Sequence, residues 1–297
     1  MFNKNLCIYI VFAIATWVTI FGSTSIAAKL TCSQLFEGLS QSEIEYFNTV
    51  HAEAWTNLLS ETKDPKARVY FLGESHGEVK VRSFYPQVIR TLKAAHPEIQ
   101  YLFIEHTRES EDYEPFYQEA INGYMAGQKS FDSVLRTFRK SMSSPELYGP
   151  PKEVLDLAKE LHLKVICSDG GVMNMDNRHS AMVEEITSVI NNTNSMKGIM
   201  IVGSAHLTGE SSFLPGDSTA VSELIKGRGL SSQKILIRSP SLSPSVEEGV
   251  VFKGLMGGSI PMGFIPTAGA PPIHSRKYDW QVRLPRWSDF DAVIAVP

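Results

Sequence analysis

Two rhythms of apolar residues alternate along the chain. Short, almost continuous apolar runs occur at 68–73 (RVYFLG), 100–105 (QYLFIE), 164–169 (KVICSD), 198–203 (GIMIVG) and 234–238 (KILIR), each read as a buried strand. Between them the spacing turns helical, as in Val88, Ile89, Leu92 and Ala95, or Met182, Ile186, Val189 and Ile190. An earlier amphipathic helix is expected over 40–59, where Ile44, Phe47, Val50, His51, Ala54, Trp55 and Leu58 follow a Ser40 or Ser42 cap. A last strand is expected over 291–296. Strands alternating with helices predict an α/β fold, a mostly parallel sheet covered by helices on both faces, forming a single domain over 40–297. A mostly helical insertion, broken at Pro150-Pro151, is expected at about 112–161. Past Gly249 both rhythms vanish, and a run rich in Gly and Pro with Lys253 as its one charge predicts a mobile C-terminal loop at about 249–275.

The opening of the chain follows neither rhythm. After Lys4 the next charge is Lys29, and between them 6–21 reads LCIYIVFAIATWVTIF, followed by small residues. This order predicts an export signal over 1–28, with Ser25 and Ala27 suited to a signal-peptidase site. The alternative is an uncleaved anchor; with cleavage, the mature protein has no stable membrane span and is exported, to the periplasm or beyond. Lys29, Leu30 and Thr31 before Cys32 make a poor lipid-attachment site. Of the three cysteines, Cys7 leaves with the signal, so Cys32 and Cys167 either form one disulfide or leave Cys167 as a buried thiol. The 28 basic residues against 32 acidic ones give a net charge of -4, and -5 once Lys4 is removed, since 27 − 32 = -5. Such a chain has no basic field to hold nucleic acid.

Parallel sheets bind ligands at the carboxyl ends of their strands, which makes those ends the places where chemistry is expected. There the sequence reads Gly73-Glu74-Ser75-His76-Gly77, then Glu105-His106, Asp169, and Gly203-Ser204-Ala205-His206. His76 and His206 each lie three residues past a strand-ending glycine. Two imidazoles and the carboxylate of Glu105 suit a divalent transition metal with open positions, and equally suit general acid–base hydrolysis without one. Asn177-Arg178-His179 opens a helix behind Asp176. An arginine in a first turn opposes the helix dipole, which argues for a carboxylate partner or a substrate oxyanion. His106 and His179 are secondary candidates; His51, His96, His162 and His274 are assigned to surface or packing. Met173, Met175 and Met182 are assigned to core or loop filling rather than to metal binding.

The run FLGESHG, FIEH, NRHSAM and IVGSAHL, in this order from about 69 to 207 and followed by FDAVIAVP, resembles the superfamily that groups Tiki-type metalloproteases, erythromycin esterases and ChaN-type haem- or iron-binding proteins. The Tiki-like side implies that His76, Glu105 and His206 hold a divalent transition metal (Mn, Co, Zn or Fe), with Glu74 and Arg178 nearby. The esterase-like side implies a Glu and His pair activating water without metal. The ChaN-like side implies haem or iron. Glu105-His106 departs from the Glu-x-Gly of the Tiki pattern. Together these readings predict an exported, metal-dependent hydrolase acting on an amide or ester bond of a small-molecule or peptide substrate. Glu74 would accept the proton of the attacking water, Arg178 would steady the oxyanion, and the loop around Met256, Met262 and Phe264 would close over an apolar part. The alternatives are the metal-free hydrolase, a haem- or iron-binding protein using His76 or His206, and an interaction module without chemistry.

Overall fold

The computed structural model describes residues 53–60, 66–74, 78–107, 117–139, 144–169, 175–192, 195–208, 219–239, 262–264 and 290–296. Each apolar run forms a strand: β2 (Val69–Glu74), β3 (Ile99–Thr107), β4 (Lys164–Asp169), β5 (Lys197–Gly203), β6 (Ser232–Arg238) and β8 (Ala292–Ala295). These six are mutually parallel, in the order β8-β6-β2-β5-β3-β4. Two short antiparallel pieces, β7 (Met262–Phe264) and β1 (Glu53–Ala54), extend the β8 edge.

Strand residues alternate between two apolar layers, as the two-residue period of a pleated sheet requires. Tyr70, Leu72, Leu102, Ile104, Val165, Ile199, Ile201 and Ile235 join one core cluster. That layer packs against α2 (Val79–Ala95) and the insertion helices α3 (Tyr117–Met125), α4 (Phe131–Phe138) and α6 (Lys152–Glu160). The short α5 (Pro145–Tyr148) ends before the Pro150-Pro151 break. Val69, Phe71, Phe103, Ile166, Met200 and Leu236 face the other cluster, which gathers α7 (Met175–Asn191) and α9 (Val221–Gly227). The crossovers that leave β2 and β3 therefore run on one face, and those that leave β4 and β5 on the other. This doubly covered parallel sheet is the α/β architecture expected from the sequence. Among the described residues no helix is long and apolar enough to cross a membrane.

Side chains supply hydrogen bonds where the ladder ends. The outer edge of β4 is met by Gln118 of α3, whose amide oxygen accepts from Cys167 N at 2.7 Å and whose amide nitrogen donates to Val165 O at 3.0 Å. One glutamine thus occupies backbone groups that a neighbouring strand would otherwise take. Arg68, just before β2, donates to Ile190 O at 2.8 Å and Met196 O at 2.9 Å, placing a cation at the C-terminal end of α7, where the helix dipole favours it.

Three expectations need correction. The helix expected over 40–59 is described only at its end, as α1 (Trp55–Ser60), and Glu53–Ala54 pair as a strand with β7. The loop expected over 249–275 contains β7, recruited by the open edge of β8 rather than by any local apolar rhythm. Asp176 lies inside α7, which begins at Met175, so it does not cap that helix from outside. Cys167 is buried in the core; Cys32, the signal segment and Met256 lie outside the described residues.

Candidate functional site

The carboxyl ends of β2, β3, β4 and β5 bring together the polar residues that the sequence placed after the strands. Glu105 belongs to β3 at a register irregularity: Ile104 pairs with Cys167 and Thr107 with Asp169, so three steps on β3 match two on β4. This bulge re-aims side chains at the sheet rim. Glu105 turns toward α7, and the adjacent His106 packs edge-on against Phe138 of α4 on the opposite face, with ring centroids 4.9 Å apart.

Glu105 is the hub of the site, its side chain only 7% exposed. Its Oε2 accepts from Gly203 N at 2.6 Å. Its Oε1 receives Arg178 Nη2 at 2.7 Å and lies 3.0 Å from His206 Nε2. Arg178 also grips Asp169 through Nε (2.8 and 3.0 Å) and Nη2 (2.5 Å). Burial by itself would lower the Arg178 pKa; hydrogen bonds and charge from Asp169 and then Glu105 outweigh it and raise the value. The partner that an arginine in this first turn called for is thus a pair of carboxylates, an arrangement suited to the planar guanidinium fork.

His206 sits on α8 (Ala205–Thr208), the single turn that follows β5, and is buried. Its Nδ1 lies 2.7 Å from Nε2 of His179, and His179 Nδ1 lies 2.8 Å from Thr219 O. A continuous chain therefore runs from the Thr219 carbonyl through His179 and His206 to Glu105. His179, a secondary candidate from the sequence, is fully buried at its centre. Asp169, noted only as a polar strand end, is a direct member of the cluster.

Glu74 ends β2 on the other face. It accepts a hydrogen bond from the hydroxyl of Tyr85 on α2. Burial, and then the Glu74 carboxylate, push the Tyr85 phenol well above its ordinary pKa, which keeps the hydroxyl protonated as a donor. Burial lowers the pKa of nearby Arg82 while the charge of Glu74 opposes that shift; its guanidinium donates to Gly149 O. Glu74 pairs with Gly203 in the sheet, and Ser204 N donates to Glu74 O at 2.8 Å. Glu74 and Glu105 thus flank the end of β5 from two sides, about 10 Å of sheet width apart. Glu78, which precedes α2, is buried and ties the end of β6 to the site through Arg238 Nη1 (3.4 Å) and Ser239 N (3.3 Å). No sequence pattern marked Tyr85, Glu78 or Arg238.

His76 lies outside the described residues, as does Met173. Among the described residues no group of three or more His, Cys, Asp or Glu is arranged to hold a metal ion. The described part of the expected ligand set is the Glu105 carboxylate and the His206 imidazole, both donor types that a divalent transition metal accepts. Met182 fills the core beside Ile186, and His96 and His162 lie away from the site at the C-terminal ends of α2 and α6.

No protein-family description matches the chain, and no curated protein matches it in sequence. Solved structures do show likeness. The type III effector HopBA1 aligns at 13% identity and a TM-score of 0.44, covering 83% of this chain and 96% of that one. A structure described as bacterial protein toxins aligns at 16% identity and a TM-score of 0.44, covering 68% of this chain, which spans 40% of the toxin chain. RRSP, a MARTX toxin effector domain from Vibrio vulnificus, aligns at 19% identity and a TM-score of 0.36, covering 52% and 32%. None of these is described as a Tiki-type protease, an erythromycin esterase or a ChaN-type protein.

Proposed function

We propose that the protein is an exported hydrolase that cleaves an amide or ester bond at the rim formed by β2, β3, β4 and β5. One observation carries the reading: a buried imidazole, His206, aligned between the Glu105 carboxylate and a second imidazole at the strand ends. A carbonyl only accepts, so His179 Nδ1 carries a hydrogen for Thr219 O. With both rings neutral, His206 Nδ1–H then donates to His179 Nε2, and His206 Nε2 is left as a lone pair 3.0 Å from Glu105 Oε1. That nitrogen and the carboxylate oxygen converge on one point, where an incoming proton or a metal ion can be held between them. His206 Nε2 is accordingly the atom proposed to receive the proton of the attacking water.

In the proposed reaction the oxygen of water bonds to the substrate carbonyl carbon while its proton passes to His206 Nε2, and Glu105 stabilises the resulting imidazolium. The bond to the leaving nitrogen or oxygen then breaks, and the leaving group takes that proton. Arg178 commits Nε and Nη2 to Asp169 and Glu105, and its Nη1, on a side chain 27% exposed, is the donor that remains for the developing oxyanion. Glu74, fixed by Tyr85, stands at the same rim on the other face of the sheet from the Glu105 and Asp169 carboxylates. In the metal-dependent form His76, Glu105 and His206 would hold a divalent transition metal, which when bound would polarise the carbonyl and acidify water. A haem iron would find less at His206, since both ring nitrogens are engaged and the residue is buried.

The test is turnover of peptide amides and aryl esters by the mature protein, with and without added Mn, Co or Zn, beside measurement of bound metal. His206→Gln should lower turnover by about 100-fold or more, the scale of a lost general base. Metal that is present in the wild type and lost in Glu105→Gln and His206→Gln would select the metal-dependent form; turnover without metal would select the acid–base form. Equal turnover in wild type and His206→Gln, or none in the wild type under any condition, would refute the proposal.

A further inference from the structure

We infer that His179 is a positioning residue: anchored on the Thr219 carbonyl, it holds the Nδ1 hydrogen of His206 and so turns the Nε2 edge of that ring toward Glu105. The inference rests on reading His206 as the reactive imidazole.

His179 reaches its partner from α7 and His206 from α8, with the rings nearly perpendicular (74°) and their centroids 4.9 Å apart. That geometry puts nitrogen against nitrogen at 2.7 Å in a buried environment, where a misdirected hydrogen bond is costly. The hydrogen between the rings can belong to either one. If it belonged to His179, that ring would donate through both nitrogens and carry a positive charge against a neutral carbonyl, one ring further from Glu105. If it belongs to His206, His179 stays neutral, its Nδ1–H on Thr219 O and its Nε2 accepting, so the second direction is favoured because it buries no charge against a neutral carbonyl. Among the described residues, Arg178 is committed to Glu105 and Asp169, and Glu74, on β2 next to β5, is turned to Tyr85 on the opposite face of the sheet.

Neighbours in sequence thereby reach the same atom by two routes. Arg178 touches Glu105 Oε1 directly, and His179 acts on it through His206. Thr219, just before α9, supplies the fixed end, so the orientation of the reactive ring is set by a part of the chain that has no described contact with Glu105.

The test uses the full mature protein with ¹⁵N-labelled histidine, as wild type, His179→Gln and His179→Met. The wild type should show a slowly exchanging His206 Nδ1–H signal coupled through the hydrogen bond to His179 Nε2. His179→Gln, which still offers an acceptor oxygen, should keep the Nδ1–H signal without that coupling. His179→Met fills the space with no acceptor; there the hydrogen should move to Nε2, toward Glu105, and turnover should fall about 10- to 100-fold through kcat with KM unchanged. A wild-type His206 lacking hydrogen at Nδ1, or a His179→Met variant that retains it, would overturn the inference. Should His179→Met fail to fold, the wild-type and His179→Gln spectra still decide the direction of the bond. Should no substrate turn over, the hydrolase reading fails while the spectra continue to report on His179.

Discussion

Arg178 carries much of the electrostatic balance of the rim, because it is the cation shared by two buried carboxylates. Removing one partner of such a cluster leaves the others desolvated and unpaired, which costs more than the intact cluster contributes. Arg178→Met is therefore expected to lower the unfolding free energy by about 2–4 kcal/mol, measured by urea denaturation at neutral pH. Arg178→Lys keeps the charge but cannot reproduce the fork, and should fall between the two. A loss under about 0.5 kcal/mol in Arg178→Met would mean that the carboxylates are stabilised by other means. At this scale the sequence was partly legible. Glu105 and His206 stood out as polar residues ending apolar strands, and Arg178 stood out as a cation where a helix dipole disfavours one. His179 stood only as a secondary candidate, since a buried histidine on an apolar helix face looks the same whether it packs or bonds to a second imidazole. The direction in which Glu105 points depends on the bulge between Ile104 and Thr107, which is a property of strand pairing and has no local sequence sign.

The elements were easier to read than the residues. The five interior apolar runs became strands because each is buried on both faces and needs no alternation. β1 and β7 escaped notice because two- and three-residue strands have no period to detect and exist through their partners alone. Packing between elements sets its own limits on substitution. A Cβ placed on Gly198 of β5 would stand 2.6 Å from Phe103 Cε2 of β3 and 3.4 Å from Ile190 Cδ1 of α7. The ring is fully buried in the second core layer and has little room to withdraw. Gly198→Ala should therefore destabilise the fold by about 1–3 kcal/mol in urea, the usual cost of overpacking. A neutral or stabilising result would show that Phe103 can repack. Gly73 of β2 is similarly placed, its missing Cβ lying 3.1 Å from Leu207 Cδ1 beside His206.

For the molecule as a whole, the two ends of the sheet differ in character. The carboxyl end gathers the site, and the amino end holds a polar group around Lys197, which pairs with Glu98 at 2.9 Å and lies 3.5 Å from the Tyr70 hydroxyl. His96 stacks on Tyr70 there, with centroids 5.0 Å apart, and its Nε2 is buried without a hydrogen-bond partner. Burial, and then the Lys197 charge, lower the His96 pKa. The folded state therefore resists protonating a ring that the unfolded chain protonates at about pH 6.5. Stability from this source is complete above that pH and declines as the pH falls below it, levelling once the folded-state value is passed. His96→Gln should flatten the decline between about pH 6.5 and pH 5, above the range where carboxylates titrate, as read by urea midpoints across that window. Parallel curves for the two proteins would assign the acid sensitivity elsewhere.

The strand order also says when the site comes into being. β2 and β3 are made early but never touch, and β5, which comes later in the chain, is the strand between them. Gly203 of β5 binds Glu105, and His206 follows at once on α8. A chain still emerging from the ribosome therefore carries Glu74 and Glu105 on strands with no common neighbour. The cluster around Glu105 can be assembled only when the wedge that joins them has been synthesised, so a partly made chain carries its carboxylates apart.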